Sequence, residues 1–309
     1  MALLLAPLAR QSTGWRERFQ SEMPELDLRI WPEIGERSEI EAVACAGLPA
    51  GEFATFPNLK LVIGLLAGSE RLLGDPALPR HVPIVRVGDP DGDAMMNEAA
   101  LLHVLRHHRN LPAYQLAQAR SEWLSLPVLR PRERRVGVMG LGPIGLAAAR
   151  TLADFGFTVA GWARRPRDLA GIEVFAGADR LGPFLARSEI IVNLLPLTPE
   201  TDGILCRKSF AQMPKGASVI NLGRGGHVVD ADLITALDED QLSSATLDVF
   251  TVEPLPKESA LWRHPKITIT PHCARRIDAL DLVPRICAAI RRVRSGEAQE
   301  QLVDRSAGY

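Results

Sequence analysis

The sequence lacks the features that would tie it to a membrane, a nucleic acid or a disulfide framework. Its apolar opening, Met1-Ala-Leu-Leu-Leu-Ala-Pro-Leu-Ala9, falls well short of the ~20 residues a membrane helix needs. It also carries no basic n-region of a secretory signal, so it reads as a first β-strand. The formal net charge of −1 creates no field that would draw the molecule to nucleic acid or to an anionic lipid surface. The four cysteines, Cys45, Cys206, Cys273 and Cys287, show no C-x-x-C spacing and no grouping with histidines at metal-ligand intervals. They read as reduced, buried thiols of a cytoplasmic protein, with no structural metal. No internal repeat or low-complexity stretch is present. What remains is an ordinary globular composition, 46% hydrophobic and 24% charged over 309 residues. That length suits one large or two medium domains, each with a sizeable core.

The most informative stretch is Val136-Gly-Val-Met-Gly-Leu-Gly-Pro-Ile-Gly145. A short apolar strand runs into Gly140, Gly142 and Gly145 at G-x-G-x-x-G spacing, and a helical run, Leu146–Phe155, follows. Gly140 permits the tight turn, Gly142 lets a pyrophosphate approach the backbone, and Gly145 lets helix and strand pack closely. The helix start, at Pro143 and Ile144, then offers N–H groups and the positive end of a dipole to the phosphates. A dinucleotide site is the reading. The choice of dinucleotide turns on another absence. The second strand, Phe157–Trp162, should close on an acidic residue if NAD is preferred, because a carboxylate there bonds the ribose 2′-OH. The chain instead reads Ala163-Arg164-Arg165-Pro166-Arg167. A guanidinium pairs with a 2′-phosphate in two-pronged fashion, so NADP is predicted, with Arg164 and Arg165 as its readers and NAD as the weaker alternative.

Elsewhere, short apolar segments alternate with helix-like ones. Before residue 97 they fall at Leu3–Pro7, Leu26–Ile30, Ala42–Ala46, Leu61–Leu65 and Ile84–Val87. From Val136 onward they recur at Val159–Trp162, Ile190–Leu194, Ser218–Leu222, Ala245–Val249 and Ile267–Thr270. That pattern predicts an α/β chain with parallel sheets covered by helices, the second sheet doubly wound with six or seven strands. Asn97–His108 reads as a connecting helix. Its three histidines, His103, His107 and His108, have no carboxylate cluster beside them and read as a helix face or subunit contact. Asp278–Val293 reads as a closing helix that returns to the first domain.

Ligands of doubly wound sheets bind at the carboxyl ends of strands, and three reactive residues stand there. Arg224 follows Val219-Ile-Asn-Leu222, flanked by Gly223, Gly225 and Gly226, a setting that suits two-pronged capture of a carboxylate. Glu253 follows the strand ending at Val249, and His272 follows Ile267–Thr270. A histidine paired with a glutamate is a workable acid–base unit near neutral pH. Each alone could be a turn, a solvated loop residue or a core histidine; together, beside a cofactor site, they point to catalysis.

These stretches also carry a family likeness. Val138–Gly145, Asn193-Leu-Leu-Pro-Leu-Thr-Pro-Glu-Thr-Asp-Gly-Ile204, Ile220-Asn-Leu-Gly-Arg-Gly-Gly226, Leu247-Asp-Val-Phe-Thr-Val-Glu-Pro-Leu-Pro256 and Thr270-Pro-His272 resemble the D-isomer-specific 2-hydroxyacid dehydrogenase family. Gly161-Trp-Ala-Arg164, Asp89-Pro90, Val104–Arg109 and Trp123 are similar to its glyoxylate/hydroxypyruvate reductase branch. The resemblance implies a Rossmann-type cofactor domain at residues 98–280. A smaller flavodoxin-like α/β substrate domain would come from both chain ends, 1–97 and 281–309. It implies NADPH-dependent reduction of small 2-ketoacids such as glyoxylate and hydroxypyruvate to D-2-hydroxyacids. Arg224 would hold the substrate carboxylate, His272 would protonate the carbonyl oxygen, and Glu253 would align His272. Asp248 would contact the nicotinamide side, with Pro196 and Thr201 along the ribose and pyrophosphate path. Trp162, Leu195, Leu222, Gly223, Arg224, His272 and Ala274 would complete the cofactor contacts. Ala67, Gly68 and Ser69 would offer backbone N–H groups to the carboxylate. The family likeness also implies a homodimer formed through the cofactor domains.

The sequence departs from relatives at Gly68-Ser69-Glu70, commonly Gly-Val-Asp, and at Asn97-Glu98-Ala99, which lacks an aromatic residue after the glutamate. Near Cys45-Ala46 it also lacks a tryptophan that closes over small substrates. That last absence enlarges the expected pocket and keeps a reductase of bulkier 2-ketoacids as an alternative. A non-catalytic NAD(P)-sensing partner protein is the second alternative. A short-chain dehydrogenase is disfavoured, since neither Tyr114 nor Tyr309 stands in a Tyr-x-x-x-Lys pair.

Overall fold

The computed structural model describes residues 2–6, 14–66, 68–87, 90–275 and 279–305. The chain divides into two compact units, Met1–Pro90 with Ile277–Tyr309, and Asp91–Arg276. Among the described residues no helix is long and apolar enough to cross a membrane.

The first unit is built on a five-stranded parallel sheet. Its strands are β1 (Ala2–Ala6), β2 (Asp27–Ile30), β3 (Ile40–Cys45), β4 (Leu61–Gly64) and β5 (Ile84–Arg86), in the order β2-β1-β3-β4-β5. This is the flavodoxin-like order. Leu3, Leu4 and Leu5 are all fully buried, as expected for a central parallel strand covered on both faces. Alternate residues supply the two cores. Leu3, Leu5, Ala42, Ala44, Leu61 and Ile63 pack with Trp15, Phe19, Ile286 and Ile290 on one face. On the other, Ala2, Leu4, Val43, Cys45 and Val62 pack with Phe53, Phe56 and Leu72. Ile286 and Ile290 belong to the helix Val283–Ser295, so the closing helix covers this sheet; Asp278, its expected start, lies outside the described residues. The open edge at β5 is met by an antiparallel bridge between Val85 and Leu302, which satisfies backbone groups an edge would leave exposed.

The second unit holds β6 (Arg135–Met139), β7 (Thr158–Ala163), β8 (Glu173–Ala176), β9 (Ile190–Asn193), β10 (Ala217–Asn221), β11 (Leu242–Leu247) and β12 (Ile267–Ile269). All pair in parallel, in the order β12-β11-β10-β9-β6-β7-β8. Chain progression reverses between β6 and β9, the switch point at which doubly wound sheets bind ligands. β8 was not expected as a separate strand. It is a four-residue edge element that starts on exposed Glu173, too short to show a pattern.

The connecting helix runs from Pro90 to His108 rather than from Asn97. Its first turns, Pro90-Asp-Gly-Asp93, carry no apolar period, although proline suits an initial helical position. A second helix, Leu111–Ala119, follows it without having been anticipated. The three histidines are buried within their own unit, which sets aside a subunit contact for them. The ring nitrogens of His107 lie 2.9 Å from Ser244 Oγ and 2.9 Å from Thr246 Oγ1, on β11. His108 packs edge-on to Phe157 at 5.1 Å. Burial, reinforced by the Arg106 charge, pushes the His107 pKa down to about 3. The expectation of four buried thiols holds for Cys45 and Cys287, where burial pushes the pKa up to about 12 and about 11. Cys206 is half-buried and Cys273 exposed. The Cys206 side chain accepts from the Ser209 N–H at the start of the helix Arg207–Phe210, and the Cys273 side chain interacts with Asp248 and Thr270 in the segment after β12.

Candidate active site

The carboxyl ends of the second sheet gather the residues singled out above. At the end of β6, Gly140 adopts φ +91°, a left-handed conformation that favours glycine. A Cβ there would stand 2.9 Å from the Leu194 carbonyl oxygen. A Cβ on Gly145 would come within 1.8 Å of the Gly140 carbonyl oxygen, so the helix Pro143–Asp154 approaches the strand only because that atom is missing. This helix lays Gly145, Ala148, Ala149 and Leu152 on its buried face. A Cβ on Gly142 would point into open space. Gly142 and Pro143 are exposed, no side chain caps the helix, and its first turn carries no acidic residue. The loop therefore fits a dinucleotide pyrophosphate: its backbone is accessible, and the first turn of the helix carries no carboxylate to oppose the phosphates.

At the end of β7 the Trp162 indole N–H donates to the Gly177 carbonyl at 2.9 Å, fixing the ring. Arg164 and Arg165 follow, both exposed. Arg167 folds back and donates to the Leu141 carbonyl at 2.6 Å, bracing the glycine loop. Beyond β9, the Thr201 hydroxyl donates to the Pro196 carbonyl at 2.7 Å and accepts from the Thr198 N–H at 2.8 Å, closing the 196–201 loop. Glu200 lies in that loop. Its carboxyl is held below the usual range by the Thr198 side chain, its own backbone and Arg164.

Arg224 follows β10, half-buried, with Nη1 donating to the Gly223 carbonyl at 2.8 Å. The flanking glycines are dictated by close approach. A Cβ on Gly225 would lie 1.9 Å from the Phe250 carbonyl carbon, and one on Gly223 would lie 3.0 Å from Asn193 Nδ2. Leu195 and Leu222 are buried beside these loops as part of the cores.

Asp248, after β11, is a buried carboxylate satisfied by the turn that follows β12. Its Oδ1 accepts from the Thr270 hydroxyl at 2.6 Å and the Cys273 N–H at 3.0 Å, and its Oδ2 accepts from the Ala274 N–H at 3.0 Å. Its carbonyl accepts from the His272 N–H at 2.8 Å. These bonds hold His272 at φ +51°, a conformation that costs a non-glycine residue about 1 kcal/mol or more. The His272 Nδ1 lies 2.7 Å from Glu253 Oε2, and Glu253 Oε1 accepts from the Phe250 N–H at 2.9 Å. The carboxylate is thus fixed by backbone on one side and the ring by the carboxylate on the other. Nδ1–H is the donor, and Nε2 is left to face an incoming group.

In the first unit, Gly68 and Ser69 follow β4. The Ser69 carbonyl accepts from the Leu73 N–H at 2.9 Å, and its hydroxyl is buried. Ala67 lies outside the described residues, as does Asp89. Sequence reasoning missed Asn193, Asn221 and His227, which hydrogen-bond around Arg224. Their only local signal is their place at the ends of β9 and β10 and three residues after the arginine. Among the described residues no group of His, Cys, Asp or Glu is arranged to hold a metal ion.

Comparison with known proteins bears on the same residues. The model of the D-isomer specific 2-hydroxyacid dehydrogenase NAD binding domain matches residues 101–274. Glyoxylate/hydroxypyruvate reductase A of Serratia proteamaculans is 37% identical over 300 residues, covering 96% of each chain. Among solved structures, a D-isomer specific 2-hydroxyacid dehydrogenase from Xanthobacter autotrophicus Py2, in complex with NADPH and MES, superposes with a TM-score of 0.94. It is 42% identical over 100% of this chain and 99% of its own. An NADPH-dependent glyoxylate/hydroxypyruvate reductase from Sinorhizobium meliloti, in complex with NADP and sulfate, gives 0.91 at 34% identity, covering 100% of both. Likeness along the whole length, with the glycine loop and strand-end residues inside the matched segment, leaves one conclusion: the chain belongs to the D-isomer specific 2-hydroxyacid dehydrogenase family.

Proposed function

We propose that the protein reduces small 2-ketoacids, glyoxylate and hydroxypyruvate, to 2-hydroxyacids with NADPH, the product having the D configuration where C2 is a stereocentre. The observation that carries the reading is the Glu253–His272 pair, 2.7 Å apart on successive strand ends, in a chain similar over its full length to reductases of these acids. NADPH, when bound, supplies a hydride to C2 of the ketoacid. Arg224 holds the carboxylate. His272 gives the proton on Nε2 to the carbonyl oxygen as negative charge develops there, and Glu253 keeps the ring oriented and its charge met. The hydride and one proton together convert the C2 carbonyl to the hydroxyl of the 2-hydroxyacid.

Gly140, Gly142, Pro143, Ile144 and Gly145 take the pyrophosphate. Trp162, Leu195, Pro196, Thr201, Leu222, Gly223, Arg224, Asp248, His272 and Ala274 line the remainder of the dinucleotide. Arg164 and Arg165 read the 2′-phosphate, since no carboxylate closes β7 to claim the ribose hydroxyls. The nearby Glu200 then competes with that phosphate for Arg164. The second unit is the cofactor domain, and the first is the substrate domain. A cytoplasmic homodimer joined through the cofactor domains completes the reading, supported by the exposed Leu102, Trp123 and Val128 of the second unit.

The test is NADPH oxidation with glyoxylate, hydroxypyruvate, pyruvate and a bulkier 2-ketoacid, each repeated with NADH. Fast turnover of the two small acids with NADPH is expected. Turnover of the bulky acid alone would move the substrate and point to the Cys45-Ala46 loop. Tight NADPH binding without turnover of any acid would favour an NAD(P)-sensing role instead.

A further inference from the structure

A buried polar cluster beneath Arg224 has no assigned part in the reaction. His227 is completely buried, and its ring bridges the segment at the end of β9 and the segment after β10. Its Nδ1 lies 3.1 Å from the Arg224 backbone nitrogen and 2.8 Å from Asn193 Nδ2. Its Nε2 lies 3.2 Å from the Pro196 carbonyl oxygen. The partners leave one protonation pattern. The Arg224 N–H can only donate, so Nδ1 must carry the lone pair, and the Pro196 carbonyl can only accept, so Nε2 must carry the hydrogen.

The amides around the ring are committed in the same way. Asn193 Nδ2 donates to Asn221 Oδ1 at 2.9 Å as well as to His227, and its Oδ1 accepts from the Leu195 N–H at 3.3 Å. Asn221 Nδ2 donates to the Arg224 carbonyl at 2.9 Å, and its Oδ1 accepts from the Gly223 N–H at 3.2 Å. Arg224 is therefore gripped through both its N–H and its carbonyl, by side chains anchored at the ends of β9 and β10.

We infer that His227, as the Nε2–H tautomer, is a positioning residue for substrate binding: its Nδ1 holds the Arg224 backbone so that the guanidinium meets the ketoacid carboxylate in a fixed pose. The inference rests on the proposed role of Arg224 as carboxylate anchor. Gly223 and Gly225 bring this segment close against Asn193 and Phe250, and the hydrogen bonds to the Arg224 N–H and carbonyl set how its main chain is turned between them. The Pro196 carbonyl also accepts from Thr201, and the cofactor loop keeps that hold when the ring is lost. The guanidinium is the part of Arg224 that meets the ketoacid, so the larger effect of losing His227 falls on the ketoacid and the smaller on NADPH.

The experiment uses the full chain with glyoxylate and NADPH, comparing His227→Phe, His227→Asn and Arg224→Lys. Phenylalanine keeps the ring shape and deletes the acceptor, whereas asparagine can place Oδ1 near the site of Nδ1. His227→Phe is expected to raise the glyoxylate KM at least tenfold, with kcat and the NADPH Kd within threefold of the parent. His227→Asn is expected to keep that KM within threefold. An unchanged KM in His227→Phe, or an equal rise in both variants, overturns the inference, because the acceptor at the Nδ1 position would then not decide substrate binding. If His227→Phe does not fold, nitrogen shifts of labelled histidine in the parent protein decide: an Nδ1–H signal for His227 overturns the tautomer and an Nε2–H signal supports it. A raised KM in Arg224→Lys with no change in His227→Phe defeats this inference alone. An unchanged KM in Arg224→Lys defeats the anchor reading and this inference with it.

Discussion

Glu253 Oε2 and His272 Nδ1 stand 2.7 Å apart, and each is held independently, Glu253 by the Phe250 N–H and His272 by the Asp248 carbonyl. Such a pair acts as a unit, so its losses should not add. Positioned general acids contribute typically ~10²–10⁴-fold. His272→Ala is expected to lower kcat by that range while the NADPH Kd stays within threefold. Glu253→Gln should cost less, and the double variant should be no slower than His272→Ala. Steady-state kinetics with fluorescence titration of NADPH checks this; a His272→Ala enzyme that keeps most of its kcat would remove His272 from the reaction.

Arg164 and Arg165 stand where an NAD-selective chain would place a carboxylate. Replacing both with Ala should raise the NADPH KM at least tenfold, in keeping with loss of charge-assisted bonds to a phosphate worth ~1.5–3 kcal/mol each. The NADH KM should move less than threefold. Equal changes for both cofactors would refute the 2′-phosphate role.

Asp248 accepts three hydrogen bonds through its side chain, from Thr270, Cys273 and Ala274. Asp248→Asn turns one acceptor oxygen into a donor facing backbone N–H groups. About 1–3 kcal/mol of stability should be lost for the group left unpaired, and kcat should drop as the His272 turn relaxes. Urea unfolding followed beside kcat tests the coupling. Loss of stability with an undisturbed kcat would detach Asp248 from the placement of His272.

His107 gives stability a pH dependence of known sign. Its folded pKa is depressed to about 3 by burial and by Arg106, against about 6.5 in an unfolded chain. Between those values the unfolded state binds one more proton, so stability falls as pH falls through that window. The slope is ~1.4 kcal/mol per pH unit from this group. His103 and His108, also lowered by burial, act in the same direction. Denaturant midpoints from pH 7 to pH 5 should decline less steeply in His107→Gln than in the parent; identical slopes would show that His107 is protonated in the folded protein.

The parts legible in the sequence were those whose physics is local. Gly140, Gly142 and Gly145 announce their turn because a positive φ, an open approach and a tight packing contact each exclude a side chain at a fixed spacing. Apolar runs such as Leu3-Leu4-Leu5 announce buried parallel strands because both faces are covered. Arg224, Glu253 and His272 stand out as candidates because strand ends are visible as the points where such runs stop. The tertiary structure decided what depends on strand order. Asn193 and His227 lie 34 positions apart in the chain yet share a hydrogen bond at 2.8 Å, because β9 and β10 are neighbours. His107 meets Ser244 and Thr246 across more than 130 positions for a similar reason. Asp248, expected to face the cofactor, is found also to hold the turn that carries His272. No period or motif encodes those pairings, since hydrogen-bond partners are chosen by which strand ends the sheet brings side by side.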